Sequence, residues 1–115
     1  MNVGSFITSE KETYGIFSDG YAQSVTDEFI FEYNSLRDVL EKDSLSLMYE
    51  NALGTSKLKH SKIQFLPPLI NPTKIICVGM NYRKPYPIDG QSVRDPNNII
   101  LFGKNREAML AHLDF

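Results

Sequence analysis

The 115-residue sequence predicts an α+β fold that is rich in β-strands. Short alternating strands with tight turns occupy the first 25 residues, and two segments with helical spacing begin at Ser35 and Ser44. Two further short apolar runs follow the double proline Pro67-Pro68. We therefore expect a small N-terminal domain of short strands and two helices, followed by the first strands of a second, incomplete β domain.

The first 25 residues predict a three-stranded meander. Val3 and Phe6 mark the first strand, residues 13–18 the second and residues 21–25 the third, because apolar and polar residues alternate there. Asp19-Gly20 forms a good tight turn between the last two strands. A meander of this size packs one of its faces on a helix.

Two helices are expected next. Ser35 with Asp38 three residues later resembles a capping box, in which a hydroxyl and a carboxylate satisfy the first free amides of a helix. Ser44 precedes a second helix, and Gly54 stands where a left-handed residue ends many helices. The apolar residues at helical spacing in this second helix predict a core stripe of Leu45, Met48, Tyr49, Ala52 and Leu53.

A domain boundary is predicted near the double proline. Residues 54–61 are polar and form a solvated linker, although their lysines and His60 also resemble a phosphate-binding patch. His60 has no second histidine or carboxylate at ligand spacing, so we expect no metal there. Pro67-Pro68 then makes a stiff connector. We therefore expect a small N-terminal α+β domain, 1–66, and the beginning of a second, incomplete domain, 67–115.

The segment after the connector predicts a binding site. Ile75 to Val78 form a short apolar run typical of a strand buried on both faces, and Gly79 ends it. A glycine at a strand end permits close backbone approach, so the polar residues that follow reach a sheet edge or cleft. A second strand is expected at residues 99–102.

Composition excludes several classes of function. A formal charge of −2 shows no basic stripe for nucleic acid. No apolar run approaches the roughly 20 residues that span a membrane, and the N-terminus lacks the features of a secretory signal, which favours a cytoplasmic location. Cys77, the only cysteine, is expected to be a buried and inert thiol rather than a nucleophile.

Three fragments in one order resemble the fumarylacetoacetate hydrolase family. They are Phe65-Leu66-Pro67-Pro68, the connector and strand from Asn71 through Lys74-Ile75-Ile76-Cys77-Val78-Gly79-Met80-Asn81-Tyr82, and Pro96 through Leu101-Phe102-Gly103-Lys104. The resemblance implies a cytoplasmic, often dimeric hydrolase or lyase that cleaves C–C bonds in small oxo acids of the acylpyruvate type. It also implies that residues 67–115 are the beginning of the catalytic domain. It also implies Mg²⁺ or another divalent cation in the full-length family, with none expected on this fragment.

The family's metal-binding carboxylates, a Glu-x-Glu pair and an Asp, lie beyond the third fragment, so we expect the chain to end before them and to be inactive alone. Glu10-Lys11-Glu12 matches the letters, but it stands in the first hairpin, where a solvated charged turn is expected. Pro85 replaces the histidine that serves many relatives as general base, and proline accepts no proton. His112 resembles a histidine of a structural turn in the family, so we expect a structural role for it.

Three residues are carried over as substrate-binding candidates: Asn81, Tyr82 and Lys104. A tyrosine hydroxyl and a lysine ammonium can bind a carboxylate, and an asparagine amide can orient a loop or a water. The alternative is that Asn81 and Tyr82 pin the loop after Gly79 and Lys104 is a surface cation. Arg83 is a weaker candidate, and no residue is assigned a catalytic or metal-binding role.

Two hypotheses remain open for the chain as a whole. In the first, it is the N-terminal part of an enzyme acting on a small oxo acid, with no nucleic-acid or membrane partner. In the second, it is a non-catalytic module that forms a homodimer through its exposed strands. Residues 106–113 contain strong helix formers where relatives keep a loop, so either a terminal helix or an irregular segment is expected.

Overall fold

The computed structural model describes residues 2–79 and 99–112. The chain divides into two compact units, the N-terminal unit of Met1–Pro72 with Met109–Phe115, and the hairpin unit of Thr73–Ala108. Helices and strands occur together and segregate along the chain, which confirms the α+β class. The division at residues 66 and 67 into a small domain and a catalytic domain stays a prediction.

A five-stranded antiparallel sheet forms the N-terminal unit, in the order β4-β3-β2-β1-β5. The predicted meander is confirmed and makes up its three central strands. One edge strand lies within residues 54–61, which were expected to be a solvated linker, and the other lies just after them. The linker prediction was therefore wrong for residues 58–60. The strands are β1 (Asn2–Ile7), β2 (Glu12–Ser18), β3 (Tyr21–Ser24), β4 (Leu58–Lys59) and β5 (Gln64–Phe65).

The sheet must curl strongly, because its two edges are joined by a very short connection. Lys59 pairs with Tyr21 at one corner, and Gln64 pairs with Ile7 at the diagonally opposite corner. In a flat sheet these corners would be about 28 Å apart, at about 4.8 Å per strand and about 3.4 Å per residue. The five peptide steps from Lys59 to Gln64 reach at most about 18 Å. Only a curled sheet closes that gap, and a single 3₁₀ turn, His60–Lys62, makes the connection.

The concave face of the curled sheet encloses an aromatic cluster. Phe6 is fully buried, and the ring of Phe17 lies 5.4 Å from it and 5.6 Å from Phe65, measured between centroids. Gly4 leaves room for Phe17, since a Cβ at that position would stand 2.8 Å from the ring. His60 adds its ring to the cluster at 5.8 Å from Phe17 and 5.3 Å from Phe65.

The other face of the sheet packs against three helices, α1 (Asp27–Glu32), α2 (Leu36–Glu41) and α3 (Leu45–Leu53). Apolar side chains from the sheet and the helices form the main core there: Tyr14, Ile16, Val25, Tyr33, Leu36, Val39, Met48 and Ala52. The predicted stripe of α3 is correct for Met48 and Ala52 and for Leu45, which packs against the core. It is wrong for Tyr49 and Leu53, which are exposed.

Helix α1 was not expected from the sequence. Its six residues, Asp27 to Glu32, are too few to show a helical period. The available signal was Thr26 as a capping residue before two acidic residues, and the Thr26 hydroxyl does accept the Phe29 amide at 3.3 Å. The ring of Phe29 then stacks on Tyr33 at 4.8 Å, which anchors the short helix to the core.

The ends of α2 follow recognised capping patterns. The predicted capping box is confirmed, because Ser35 and Asp38 exchange side-chain and backbone hydrogen bonds. At the other end, Asp43 takes the left-handed conformation with φ of 51°. The amides of Asp43 and Ser44 donate to Leu40 and Val39 oxygens at 3.2 and 2.9 Å, which is the bonding of a Schellman motif.

Helix α3 ends without the left-handed glycine that was expected. Gly54 has φ of −77° and ψ of −7°, an ordinary right-handed conformation, so the prediction for it was wrong. The buried Gln23 side chain from β3 instead donates from Nε2 to the oxygens of Ala52, Leu53 and Thr55, at 3.3, 3.2 and 2.9 Å. A distant side chain therefore contributes donors to this helix end, together with the amide and hydroxyl of Thr55, which donate to the Ala52 oxygen at 3.1 and 2.8 Å.

Gly54→Ala is expected to stabilise the chain by about 0.5 kcal/mol, because alanine restricts the unfolded state and fits a right-handed residue. The added Cβ would be 3.5 Å from the Asn51 oxygen, an ordinary contact. Urea unfolding followed by circular dichroism measures the change. A loss of about 1 kcal/mol would instead indicate a left-handed Gly54 in solution.

Tyr14 predicts a loss of stability at alkaline pH. Its hydroxyl donates to the Tyr33 oxygen at 2.6 Å, and burial, then the nearby Asp38 and Tyr33, raise the pKa of Tyr14 well above its ordinary value. The unfolded chain ionises this group from about pH 10, whereas the folded chain keeps it protonated. The stabilisation is complete below pH 10 and declines as the pH rises further. We expect the free energy of unfolding to fall more steeply above pH 10 in the wild type than in Tyr14→Phe.

The hairpin unit contains two antiparallel strands, β6 (Ile75–Gly79) and β7 (Ile100–Lys104), followed by a 3₁₀ turn, Arg106–Ala108. Both strands were predicted. The expected burial of β6 on both faces was wrong, since Ile76 and Val78 are 64% and 52% exposed and Cys77 is half-buried. Residues 106–108 form only one 3₁₀ turn of the terminal helix considered for 106–113.

A search of the described residues found no helix long and apolar enough to cross a membrane.

Candidate functional site

Of the three predicted substrate-binding residues, the structure describes one. Lys104 ends β7, where it pairs with Ile75 at the start of β6. Asn81 and Tyr82 lie outside the described residues, as do Arg83 and Pro85. The assignment of Asn81, Tyr82 and Lys104 to one substrate site therefore stays a prediction.

The strand register separates Lys104 from the end of β6. Gly79, which precedes the predicted Asn81-Tyr82 loop, pairs with Ile100 at the opposite end of the ladder. Four residue steps along β7 separate Ile100 from Lys104, which is about 13 Å at about 3.3 Å per residue. The backbones of Gly79 and Lys104 are thus not adjacent.

The face that carries Lys104 is mostly apolar. Alternate residues along a strand share a face, so Lys104 lies on the same face as Phe102 and Ile100. A Cβ at Gly79 would be 3.2 Å from the Phe102 ring, which shows that this ring covers the glycine. An exposed ammonium beside apolar side chains can attract a small anion such as a carboxylate.

The described residues do not fit a divalent metal. No group of three or more histidine, cysteine, aspartate or glutamate residues with metal-binding geometry occurs in ranges 2–79 and 99–112. Glu10 and Glu12 are exposed at the turn between β1 and β2, as expected for a solvated charged turn. The part of the chain that the structure shows therefore supplies no ligand set for the Mg²⁺ that the family resemblance implies.

The two histidines of the chain take packing positions. His60 belongs to the aromatic cluster, and its buried Nε2 has no hydrogen-bond partner among the described residues. His112 contacts Phe65 edge to face, with ring centroids 5.2 Å apart. No carboxylate hydrogen-bonds to either ring in the described part of the chain, so neither has the partner that usually orients a catalytic histidine.

A small cleft lies between the sheet and the first two helices, and the sequence did not point to it. Its volume is about 30 Å³, and it is lined by Ser5, Glu12, Thr13, Tyr14, Ile30, Asn34, Ser35, Leu36 and Ile70. Its hydroxyl groups already serve the fold, since Ser5 donates to the Pro68 oxygen and Ser35 caps α2. The cleft is far smaller than the roughly 300 Å³ at which small-molecule sites usually begin.

Comparison with known proteins identifies two partial relatives. Over 57 residues, 50% of this chain, it is 37% identical to "Oxaloacetate tautomerase Fahd2a, mitochondrial" of Rattus norvegicus, of which the match covers 18%. Over 79 residues, 58% of this chain, it is 37% identical to "Oxaloacetate tautomerase fahd2, mitochondrial" of Xenopus laevis, of which 23% is covered. The matches thus span about a fifth of these relatives.

No family model matches the chain, and no solved structure matches it. The word mitochondrial belongs to the names of the two relatives, and the cytoplasmic location of this chain stays a prediction. The two partial similarities agree with the ordered fragments between Phe65 and Lys104. Together they support a relationship of this chain to the fumarylacetoacetate hydrolase family.

Proposed function

We propose that the chain is the N-terminal part of a fumarylacetoacetate hydrolase family enzyme acting on a small oxo acid. The observation that carries the proposal is the 37% identity to two oxaloacetate tautomerases over half or more of the chain. The order of the fragments from Phe65 to Lys104 supports the same family independently of those two proteins. The substrate class is therefore an anionic acid with a carbonyl next to, or near, its carboxylate.

Hydrolases, lyases and tautomerases that act on oxo acids share one chemical feature, the formation of an enolate. Tautomerisation removes a proton from the carbon beside the carbonyl and forms an enolate, and cleavage of a 1,3-dicarbonyl acid also leaves an enolate. Positioned cations and hydrogen-bond donors stabilise such a developing charge. In this proposal Lys104 and Tyr82 bind the substrate carboxylate, and Asn81 orients the loop.

We propose that the full-length enzyme binds Mg²⁺ or another divalent cation through the family's Glu-x-Glu pair and Asp. Carboxylate oxygens are the ligands that such ions prefer. The described residues offer no such set, so we propose no step through a metal for this chain. In isolation it is expected to show no turnover of oxaloacetate or acylpyruvates. Turnover that a chelator abolishes would contradict that expectation.

A chimera tests the proposed function. This chain replaces the region of the rat tautomerase that corresponds to it, which includes the 57-residue match, and conversion of enol to keto oxaloacetate is followed by ultraviolet absorbance. We expect the chimera to keep activity, because the two regions are proposed to be equivalent. A chimera with the circular dichroism spectrum and thermal midpoint of the parent, but without activity, would contradict the proposal.

Lys104→Met in the active chimera is expected to raise KM for oxaloacetate roughly 10- to 150-fold, because a hydrogen bond to a charged group contributes about 1.5–3 kcal/mol. Lys74→Met is the matched control, since Lys74 is an exposed lysine immediately before β6. Its KM should remain that of the unsubstituted chimera. Equal KM values for both variants would remove Lys104 from the substrate site.

The coding sequence offers a second test. We expect one of the reading frames downstream of the Phe115 codon to encode a Glu-x-Glu pair and, after it, an Asp within an apolar pattern typical of a strand. Their absence from every frame would contradict the proposal that this chain belongs to a metal-dependent enzyme.

One observation favours a second candidate, a non-catalytic module that forms a homodimer. Apolar side chains of the hairpin unit are widely exposed, including Ile76 at 64%, Leu101 at 60% and Phe102 at 48%. A two-stranded hairpin is marginally stable alone, and a second copy could cover these side chains.

Sedimentation velocity at low micromolar concentration tests the homodimer. The module predicts a discrete dimer that Ile76→Lys with Leu101→Lys converts to monomer, because two charges would be buried in the interface. Substituting two exposed residues of α3, Ser46→Lys and Glu50→Lys, should leave the dimer intact. A monomeric or polydisperse wild type would contradict this second candidate.

A further inference from the structure

Two histidine rings flank one phenylalanine where the chain returns to the N-terminal unit. Phe65 in β5 has the His60 ring 5.3 Å away and the His112 ring 5.2 Å away, with interplanar angles of 77° and 78°. His60 comes from the connection between the two sheet edges, whereas His112 lies in the returning segment, residues 109–112. The Phe65 ring thus contacts two histidines that are 52 positions apart in sequence.

Phe65 is held in place independently of His112. Its ring contacts Phe17 at 5.6 Å, and its backbone pairs with Phe6 in β1. His60 restrains it from a third direction, inside the aromatic cluster. The sheet therefore holds the Phe65 ring in position before His112 contacts it. Only the returning segment has to become ordered for the His112 ring to pack against Phe65.

The returning segment itself lies with one side against the N-terminal unit. Met109 and Ala111 are half-buried, whereas Leu110 between them is 71% exposed. His112 at the end of the described segment is exposed, and its ring contacts Phe65. The hairpin unit, Thr73–Ala108, is therefore connected to the N-terminal unit at both of its ends.

We propose that the ring pair of Phe65 and His112 is a latch that fastens residues 109–112 to β5. With the latch closed, the hairpin unit that carries Lys104 is anchored at both ends, and with it open the unit is anchored only through residue 72. An aromatic pair of this type shifts an equilibrium by roughly 2- to 12-fold. A latch of that strength opens and closes in the native protein, so His112 is a positioning residue that governs the freedom of the hairpin unit.

Nuclear magnetic resonance tests whether the latch exists. The chain has two histidines, so their ring signals are assigned by comparison with His112→Phe. We expect nuclear Overhauser effects between the ring protons of His112 and Phe65 in the wild type. Their absence from a folded sample, in which the Phe65 and His60 rings still show effects to each other, would overturn the proposal.

Limited proteolysis tests what the latch does. Trypsin cleavage after Lys104 and Arg106 is expected to be roughly 2- to 12-fold faster in His112→Ala than in the wild type, because cleavage follows the open population. His112→Phe, which keeps a ring, should cleave at the wild-type rate, as should the control Leu110→Ala. Amide shifts of residues 2–57 check that each variant is folded. An unchanged rate in His112→Ala, or an equal increase in Leu110→Ala or His112→Phe, would overturn the latch.

Discussion

Gly15→Ala is expected to destabilise the N-terminal unit by about 3 kcal/mol or more, at the upper end of overpacking effects. A Cβ on Gly15 would stand 2.0 Å from the Gln23 oxygen and 2.9 Å from the Ser24 Cα, both backbone atoms of the neighbouring strand. Neither can move without separating β2 from β3. Urea unfolding monitored by circular dichroism should show a lower midpoint or no folded baseline.

Gly4→Ala is the matched control, because it places a methyl group on the adjacent strand of the same sheet. Its Cβ would meet the side chain of Phe17 at 2.8 Å rather than backbone. A ring can shift where a strand cannot, so we expect a loss of about 1 kcal/mol. Equal losses for the two variants would contradict the distinction between backbone and side-chain obstruction.

Gln23→Met is expected to destabilise the chain by about 1–3 kcal/mol, the usual effect of leaving buried polar groups without partners. Methionine keeps the length of the side chain but cannot donate to the carbonyl oxygens of Ala52, Leu53 and Thr55. The end of α3 would then lose its hydrogen bonds to the Gln23 side chain of β3, while the Thr55 hydroxyl still donates to the Ser24 oxygen. Hydrogen exchange should show faster exchange of amides in the last turn of α3.

Gln64→Met provides the control for this substitution. Gln64 is an exposed glutamine in β5, so the same chemical change there removes no buried hydrogen bond. Its free energy of unfolding should stay within about 0.5 kcal/mol of the wild type. A similar loss in both variants would show that the carbonyl oxygens beyond α3 do not depend on Gln23.

Local signals predicted the elements that depend on nearby residues. The meander follows from alternation and from Asp19-Gly20, where Gly20 has φ of 74°, and the start of α2 follows from Ser35 and Asp38. Helix ends that depend on distant partners were not predictable in this way. Gly54 needs no left-handed conformation because Gln23, about 30 positions earlier, supplies the donors.

The sequence predicted which residue types the candidate site contains, but not where the strand pairing places them. Four-residue apolar runs identified both strands of the hairpin, but their register depends on pairing across more than 20 residues. That register places Lys104 at the Ile75 end of the ladder, which no local pattern indicates. The apolar run of β6 was also interpreted as full burial, although the run alone does not say what covers Ile76 and Val78.

The connection between β4 and β5 has a consequence for folding during synthesis. One stretch of eight residues, 58–65, completes both borders of the five-stranded sheet. Until it has left the ribosome, β3 and β1 each keep a row of unpaired backbone groups, the arrangement from which strands associate with other chains. The nascent N-terminal unit is therefore prone to aggregation until residues 58–65 emerge, and both edges of the sheet become covered at the same time.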